Sequence, residues 1–467
     1  MKILHTSDWH LGKLFYEKSL IEDQEYVLNQ IIDIAKKAEE EGSPYGALVV
    51  SGDIYDRAIP PADASKLLNR FLVKIREEVP SLHIFMNAGN HDSASRLSFA
   101  SDFLEYHKIH LATGTENICQ PVILEQGEEK LAVYQLPFLT PLSIKEDNAA
   151  CSTGEKDLRN ADCDFGKNAE GLGSENKNNS SPEGAARAFE KSIEDSDQGT
   201  SEENLRSQED LYRAACKKIL ESHRKNYPGI PSLLNAHLFT SGSLTGASER
   251  SNVGTVEQVS VSLFKDFTYG AFGHIHKFQS CDEEKKCWYS GSLLPYNFDD
   301  SPESGILEVD IGETVSVKRL LFTPLHKISK INAFFKDLFG SEADKNLVKE
   351  NQNNYVQVIL KDSVMPTEAF FTLKTVFPYL LSVIQASAGS RGTSSSIEQR
   401  KAAILSNDPE KIFDQFMTDL YGEEVTGGKQ AASSQKEGES QELNEERGLF
   451  EAEKKIFIEE ASKSVEM

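Results

Sequence analysis

Apolar and polar positions alternate along the first 110 residues in two distinct rhythms. Residues 2–6 (KILHT) form a short apolar run suited to a strand, followed by the loop SDWHLGK. Residues 20–41 place Ile21, Tyr26, Val27, Ile31, Ile34 and Ala35 at helical spacing, and the pattern stops near Gly42. Residues 47–51 (ALVVS) are a β-branched run, fit for a buried strand, that ends at Gly52-Asp53. A second helical pattern covers 62–79, and a strand at 83–88 (HIFMNA) stops at Gly89-Asn90-His91-Asp92. Strand, loop, helix, strand predicts an α/β layered fold. In such sheets the loops at the carboxyl ends of strands collect functional residues. The arrangement returns at 233–235, running into Ala236-His237, and at 269–272, running into Gly273-His274.

Elsewhere the rhythm fails. Residues 145–205 are rich in Ser, Asn, Gly, Asp and Glu, and predict a disordered acidic insertion in a surface loop. A helix from about 206 (LYRAACKKILESHRK) returns the chain to its core. Residues 315–388 suggest a small separate α+β module, with VSVKRLLF and YVQVIL as strands and EAFFTLKTVF as a helix. The tail is polar at 388–405 and 426–445, and its amphipathic stretches KIFDQFMTDLYG and LFEAEKKIFIEEA need a surface to dock on. The expected division is a core in two parts, 1–144 and 206–314, the insertion 145–205, the module 315–388, and a linker with helical tail, 389–467.

A chain of 467 residues has room for two or three domains. The net charge of −24 argues at first against nucleic acid, but residues 145–210 carry −9 of it and residues 391–467 carry −7. The remainder includes carboxylates able to hold cations, and bound metals invert the local sign. The six cysteines form no CxxC pair, as expected of free thiols in a cytosolic chain. The start, MKILHTSDWHLGK, does not read as a signal peptide, and no run approaches the ~20 apolar residues of a membrane span. The expectation is a soluble, cytoplasmic protein without membrane attachment.

The chemistry lies at the strand ends. Asp8-x-His10, Gly52-Asp53, Gly89-Asn90-His91-Asp92, His237 and Gly273-His274-Ile275-His276 each place metal-binding side chains there. Carboxylate, imidazole and amide oxygen together suit Mn²⁺, Fe²⁺ or Zn²⁺ rather than Ca²⁺. No cysteine joins the set, which disfavours a structural zinc site. Each piece alone is an ordinary turn or a core histidine; all five in one order, each closing a predicted strand, are not.

This ordered set resembles the calcineurin-like metallophosphoesterases, whose pattern runs D-x-H, GD-x-x-D, GNH, H and GH-x-H. Longer strings, GDIYDRAIPPADASKLLNRFL, NAGNHDSASRL, YGAFGHIHKFQ and WYSGSLLPYNFDD, are similar to the SbcD family of bacterial nuclease subunits. The resemblance covers roughly residues 1–310 apart from the insertion. It implies a four-layer αββα core with a small α+β capping domain and a partly disordered helical tail. It implies two divalent ions, Mn²⁺ foremost. Asp8, His10, Asp53 and His276 would hold the first, and Asp53, Asn90, His237 and His274 the second, with Asp53 as the bridge. His91 would face the scissile phosphate as acid or electrostatic stabiliser, Asp56 would orient it, and Arg57 would touch phosphate.

The resemblance further implies a DNA nuclease, a 3′→5′ double-strand exonuclease and hairpin or single-strand endonuclease. It would work in DNA repair, recombination and replication, near the nucleoid. Its partners would be DNA, a second copy of this chain through helices near 62–79 and 95–106, and an SbcC-type coiled-coil ATPase in a heterotetramer of two of each. The module at 315–388 would contact DNA and the tail would dock on the ATPase. The competing readings are a phosphodiesterase for small phosphoesters and a non-catalytic scaffold.

Overall fold

The computed structural model describes residues 1–139, 207–244, 258–341, 343–362 and 364–386. The expected insertion at 145–205 and the tail at 389–467 lie outside them. Two six-stranded sheets face each other. The strands of the first are β1 (Lys2–Thr6), β2 (Ala47–Val50), β3 (His83–Asn87), β4 (Ile109–Ala112), β11 (Gly305–Ile311) and β12 (Val315–Leu321), in the order β12-β11-β1-β2-β3-β4. Those of the second are β5 (Val122–Gln126), β6 (Glu129–Leu136), β7 (Ser232–His237), β8 (Tyr269–Gly273), β9 (Gln279–Ser280) and β10 (Cys287–Tyr289), in the order β9-β10-β8-β7-β6-β5. The central strands run parallel: β1, β2, β3 and β4 in one sheet, and β6, β7, β8 and β10 in the other.

Strand alternation explains the layering. Ile3, Ala47, Val49 and Phe85 point into the space between the sheets, where they meet Leu131, Val133, Leu233, Tyr269 and Ala271. Their neighbours Leu4, Leu48, Val50, Ile84 and Met86 point the other way, onto α1 (Ile21–Glu40) and α2 (Ala62–Glu78). Across the molecule Ala132, Tyr134, Leu234, Ala236 and Phe272 lie under α3 (Gln208–Asn226). Strands covered on both faces read as unbroken apolar runs, as ALVV does. Each fully buried aliphatic side chain contributes about 1.5–3 kcal/mol. This is the expected αββα core. Polar links also cross between the sheets, among them His5 Nδ1 with the Tyr269 hydroxyl at 2.9 Å and Asn87 Nδ2 donating to the Asn235 carbonyl at 2.7 Å.

The boundary expected at 314 moves. All seven residues of β12 pair with β11 in the first sheet, so the core continues through Leu321. Beyond it lies a three-stranded sheet of β13 (Ile328–Ala333), β14 (Tyr355–Leu360) and β15 (Leu380–Gln385), with β14 in the middle, accompanied by α4 (Ala369–Val376). This α+β module is fastened to the core. The Tyr355 hydroxyl donates to Asp23 Oδ2 at 2.6 Å, and His326 Nδ1 lies 2.9 Å from Asp23 Oδ1. The chain resolves into two compact units. The larger is Met1–Ile359 with Glu368–Val383; the smaller is Leu360–Thr367 with Ile384–Met467, described only at 360–362, 364–367 and 384–386. Among the described residues Cys119, Cys216, Cys281 and Cys287 form no disulfide, and no helix is long and apolar enough to cross a membrane.

Candidate metal centre

The parallel strands β1, β2 and β3 of one sheet, and β7 and β8 of the other, deliver their carboxyl ends to one place. The first two loops are zipped together by main-chain bonds, from Asp8 N to Gly52 O, His10 N to Asp53 O and Leu11 N to Ile54 O, at 2.9–3.1 Å. Asp8, His10, Asp53 and His274 all take positive φ, at 51°, 44°, 50° and 100°. Non-glycine residues held there are strained, and such outliers gather at functional sites. Two glycines make the crowding possible. At Gly52 (φ +85°) a Cβ would overlap the His237 ring, and at Gly89 it would overlap Asp53.

The side chains converge on Asp53. His10 Nε2 lies 3.7 Å and His237 Nε2 3.5 Å from its Oδ2, while its Oδ1 accepts the His91 amide at 3.0 Å. His10 Nε2 and His276 Nε2 are 3.1 Å apart. Asn90 Oδ1 sits 3.0 Å from His237 Nε2 and 3.1 Å from His274 Nδ1. Asp8 accepts the His274 amide at 3.0 Å. Ligand atoms of Asp8, His10 and His276, and of Asp8, Asp53 and His237, each fall within 4.8 Å of one another. The seven expected ligands are thus in one cluster.

Its electrostatics suit a cation. Burial holds the imidazoles of His10, His274 and His276 well below their usual range, the last two at about 4 and about 3, so all three present neutral lone pairs. Burial also pushes Asp8 up to about 7. Burial opposes the charge on Asp53 and on His237 as well, yet they sustain each other. Asp53 is held well below the carboxylate range, chiefly by His237, and His237 is pushed up to about 9 by Asp53. The His237 Nδ1–H is committed to the Ser51 carbonyl at 2.8 Å, which leaves Nε2 facing Asn90 Oδ1 and Asp53. Two lone-pair atoms at hydrogen-bond distance need a proton or a cation between them. The donor set, largely buried and mixed in oxygen and nitrogen, fits a divalent transition ion.

The remaining expected residues sit at the rim. His91 Nδ1 lies 2.9 Å from the Asp56 main-chain carbonyl, and its ring stands edge-on to His10 with centroids 4.9 Å apart. The contact that orients His91 is therefore with the Asp56 main chain; the Asp56 carboxylate turns to Lys13 at 2.7 Å and lies 3.7 Å from His10 Nδ1. Arg57 is largely exposed, with Nε 3.6 Å from Asp56 Oδ2.

Two supporting residues have no assigned role in the sequence reading. Asp92 accepts the amides of Ile54, Tyr55 and Gly89 at 2.8–3.0 Å, tying the third strand-end loop to the second. Gln24, buried on α1, donates to the carbonyls of Trp9 and His10 and accepts from Gly12 N, clamping the first loop. A polar residue on the apolar stripe of a helix was the available signal for Gln24.

Comparison with known proteins agrees with this geometry. The family model of calcineurin-like phosphoesterases matches residues 1–278. A protein of Staphylococcus saprophyticus, named as the D component of the nuclease SbcCD, is 26% identical over 431 residues, spanning 91% of this chain and 95% of the relative. Its namesake in Staphylococcus epidermidis is 26% identical over 433 residues, spanning 91% and 97%. Among solved structures, the phosphopantetheinyl hydrolase PptH of Mycobacterium tuberculosis superposes with a TM-score of 0.30 at 13% identity, covering 62% of this chain and 88% of that one. A likeness that loose fixes neither fold nor chemistry.

Proposed function

The chain belongs to the calcineurin-like phosphoesterase family, and from that premise we propose that it is the metal-dependent DNA nuclease of a complex with a coiled-coil ATPase. The observation that carries the reading is the convergence on Asp53, from five strand ends in all, of the buried or half-buried Asp8, His10, His237, His274 and His276 and the exposed Asn90. Similarity over nine-tenths of the chain to proteins named as nuclease components directs the phosphoester reading toward DNA.

Asp8, His10, Asp53 and His276 would hold one divalent ion, and Asp53, Asn90, His237 and His274 a second, with Mn²⁺ as the working metal. When bound, such a pair supplies positive charge to the phosphate oxygens and activates water for in-line attack. The chain's own groups do the rest. Ser51 and Asp92 fix the imidazole and loop that frame the centre. A carbonyl can only accept, so the Asp56 contact sets a proton on His91 Nδ1 and leaves Nε2 for the substrate. With Nε2 protonated, His91 donates to the leaving oxygen. Arg57, exposed beside Asp56, meets a phosphate of the incoming strand.

The α+β module that follows Leu321, fastened to α1 through Asp23, serves as a DNA-contacting cap. A second copy packs on the surface where Phe99, Phe103 and Tyr106 are 82%, 64% and 89% exposed. Aromatic exposure on that scale marks an interface. The tail segment at 411–422 (KIFDQFMTDLYG) docks on the ATPase, and the complex acts as a 3′→5′ exonuclease and a hairpin endonuclease.

The test is cleavage of an end-labelled hairpin DNA with Mn²⁺, with and without the ATPase and ATP. Wild type should cut, and Asp53→Asn and His91→Asn should each lose at least about a hundredfold in rate, the scale of a lost acid–base group. Hydrolysis of a small model diester with no cutting of DNA in any combination would replace this reading with a small-phosphoester enzyme.

A further inference from the structure

The loop SDWHLGK ends in a lysine that the metal centre leaves unassigned. Lys13 is only 23% exposed at its side chain, although lysines seldom withdraw from water without a partner. Its ammonium donates to Asp56 Oδ1 at 2.7 Å and stands 5.3 Å over the ring of Tyr296. That ring packs edge-on against His10 and His276, at 5.5 and 5.9 Å, and its hydroxyl donates to the Trp9 carbonyl. The Lys13 main chain is fixed as well, its amide donating to the His10 carbonyl at 3.0 Å. The lysine is thus built into the floor beside two metal-binding histidines.

What it holds in place is a carboxylate with two possible uses. His10 turns Nε2 toward Asp53 and His276, while its Nδ1 is buried with no hydrogen-bond partner. Asp56 Oδ1 lies 3.7 Å from that Nδ1, and Asp56 itself is only 11% exposed. A histidine that binds metal through one nitrogen generally donates the other N–H to a carboxylate or carbonyl, which fixes tautomer and ring orientation. Asp56 is the nearby acceptor for His10. It is also a rival ligand, because the ligand atoms of His10, Asp56 and His91 lie within 4.8 Å of one another. An ammonium on Oδ1 turns the carboxylate toward the outer side of His10 and neutralises its charge. Lys18 and Lys374, the other lysines set over aromatic rings among the described residues, lie on Tyr379 and Phe370.

We propose that Lys13 is a positioning residue that acts through Asp56. It aims the Asp56 carboxylate at His10 Nδ1, so that His10 presents the Nε2 lone pair to the first divalent ion and Asp56 stays out of the ligand set. This rests on the metal-centre reading above but needs no DNA activity, so it is tested by binding alone.

The experiment is calorimetric titration of Mn²⁺ into the full-length chain, for wild type, Lys13→Met, Lys13→Arg and Asp56→Asn, with metal-free thermal melts alongside. Lys13→Met should weaken one of the two binding steps about tenfold or more, the usual effect of losing an outer partner of a metal ligand. The other step and the metal-free melt should stay as in wild type, and Lys13→Arg should restore the affected step. Asp56→Asn should weaken the same step, and adding Lys13→Met to it should cost nothing further. Identical isotherms for wild type and Lys13→Met would overturn the role of Lys13 alone. So would equal weakening of both steps with a lowered metal-free melt and no rescue by arginine, which marks a merely structural lysine. Should Lys13→Met fail to fold, an Asp56→Asn isotherm equal to wild type overturns the proposal in its place. A wild type that takes up no Mn²⁺ would overturn the metal-centre reading and this proposal together.

Discussion

A proton and a divalent ion compete for the same lone pair on His237. Its Nδ1–H is spent on Ser51, and Asp53 pushes the ring up to about 9, so near neutrality Nε2 carries a proton that a metal must displace. Asp8, pushed by burial up to about 7, gives up a second proton below that pH. Binding that releases a proton tightens as pH rises. Mn²⁺ affinity should therefore increase by about tenfold per unit between pH 7 and 8.5, and by about a hundredfold per unit below pH 7. Titration at several pH values checks this, and a flat profile would show that neither group holds a proton in competition. At this scale the sequence was most legible where a side chain lies next to its partner loop. Asp8, His10, Asp53, Asn90, His237, His274 and His276 all stand at predicted strand ends, and the family resemblance singles them out there as ligands. Asp92 was not assigned, because its partners are main-chain amides that only the folded loops bring within reach.

The elements were read from periodicity, and their errors have physical causes. The helical pattern at 20–41 became α1, yet Tyr26, counted with its apolar face, is 41% exposed. Gln24, counted as polar, is fully buried. Its amide is spent on the loop that carries His10, so the inner face of α1 serves chemistry as well as packing. Gln24→Ala removes one acceptor and two donated bonds at a buried site, where unsatisfied groups cost about 1–3 kcal/mol each. Urea unfolding of the metal-free chain should show a loss of about 2–4 kcal/mol, with weaker Mn²⁺ binding. Unchanged stability would mean that the loop holds its shape without the clamp. The strand VSVKRLLF was read as a strand but given to the wrong domain. Strand propensity says nothing of which sheet a strand joins, and only pairing with β11 places it in the core.

On the scale of the molecule the site belongs to neither sheet alone. Asp8, His10, Asp53 and Asn90 follow strands of the first, while His237, His274 and His276 come from the second. The apolar faces between the sheets, with polar links such as His5–Tyr269 and Asn87–Asn235, set their spacing, and the donors across the gap meet because of it. The layered class was legible in the sequence because both faces of each central strand are apolar. The attachment of the α+β module was not, since it depends on Asp23, His326 and Tyr355 meeting from distant parts of the chain. The measurement that bears most directly on the account is the number of Mn²⁺ ions held per chain at saturation, counted by native mass spectrometry of the full-length protein. Two ions in wild type, with fewer in Asp53→Asn, is the predicted result. One ion, or none, would contradict a centre built by both sheets around a shared aspartate.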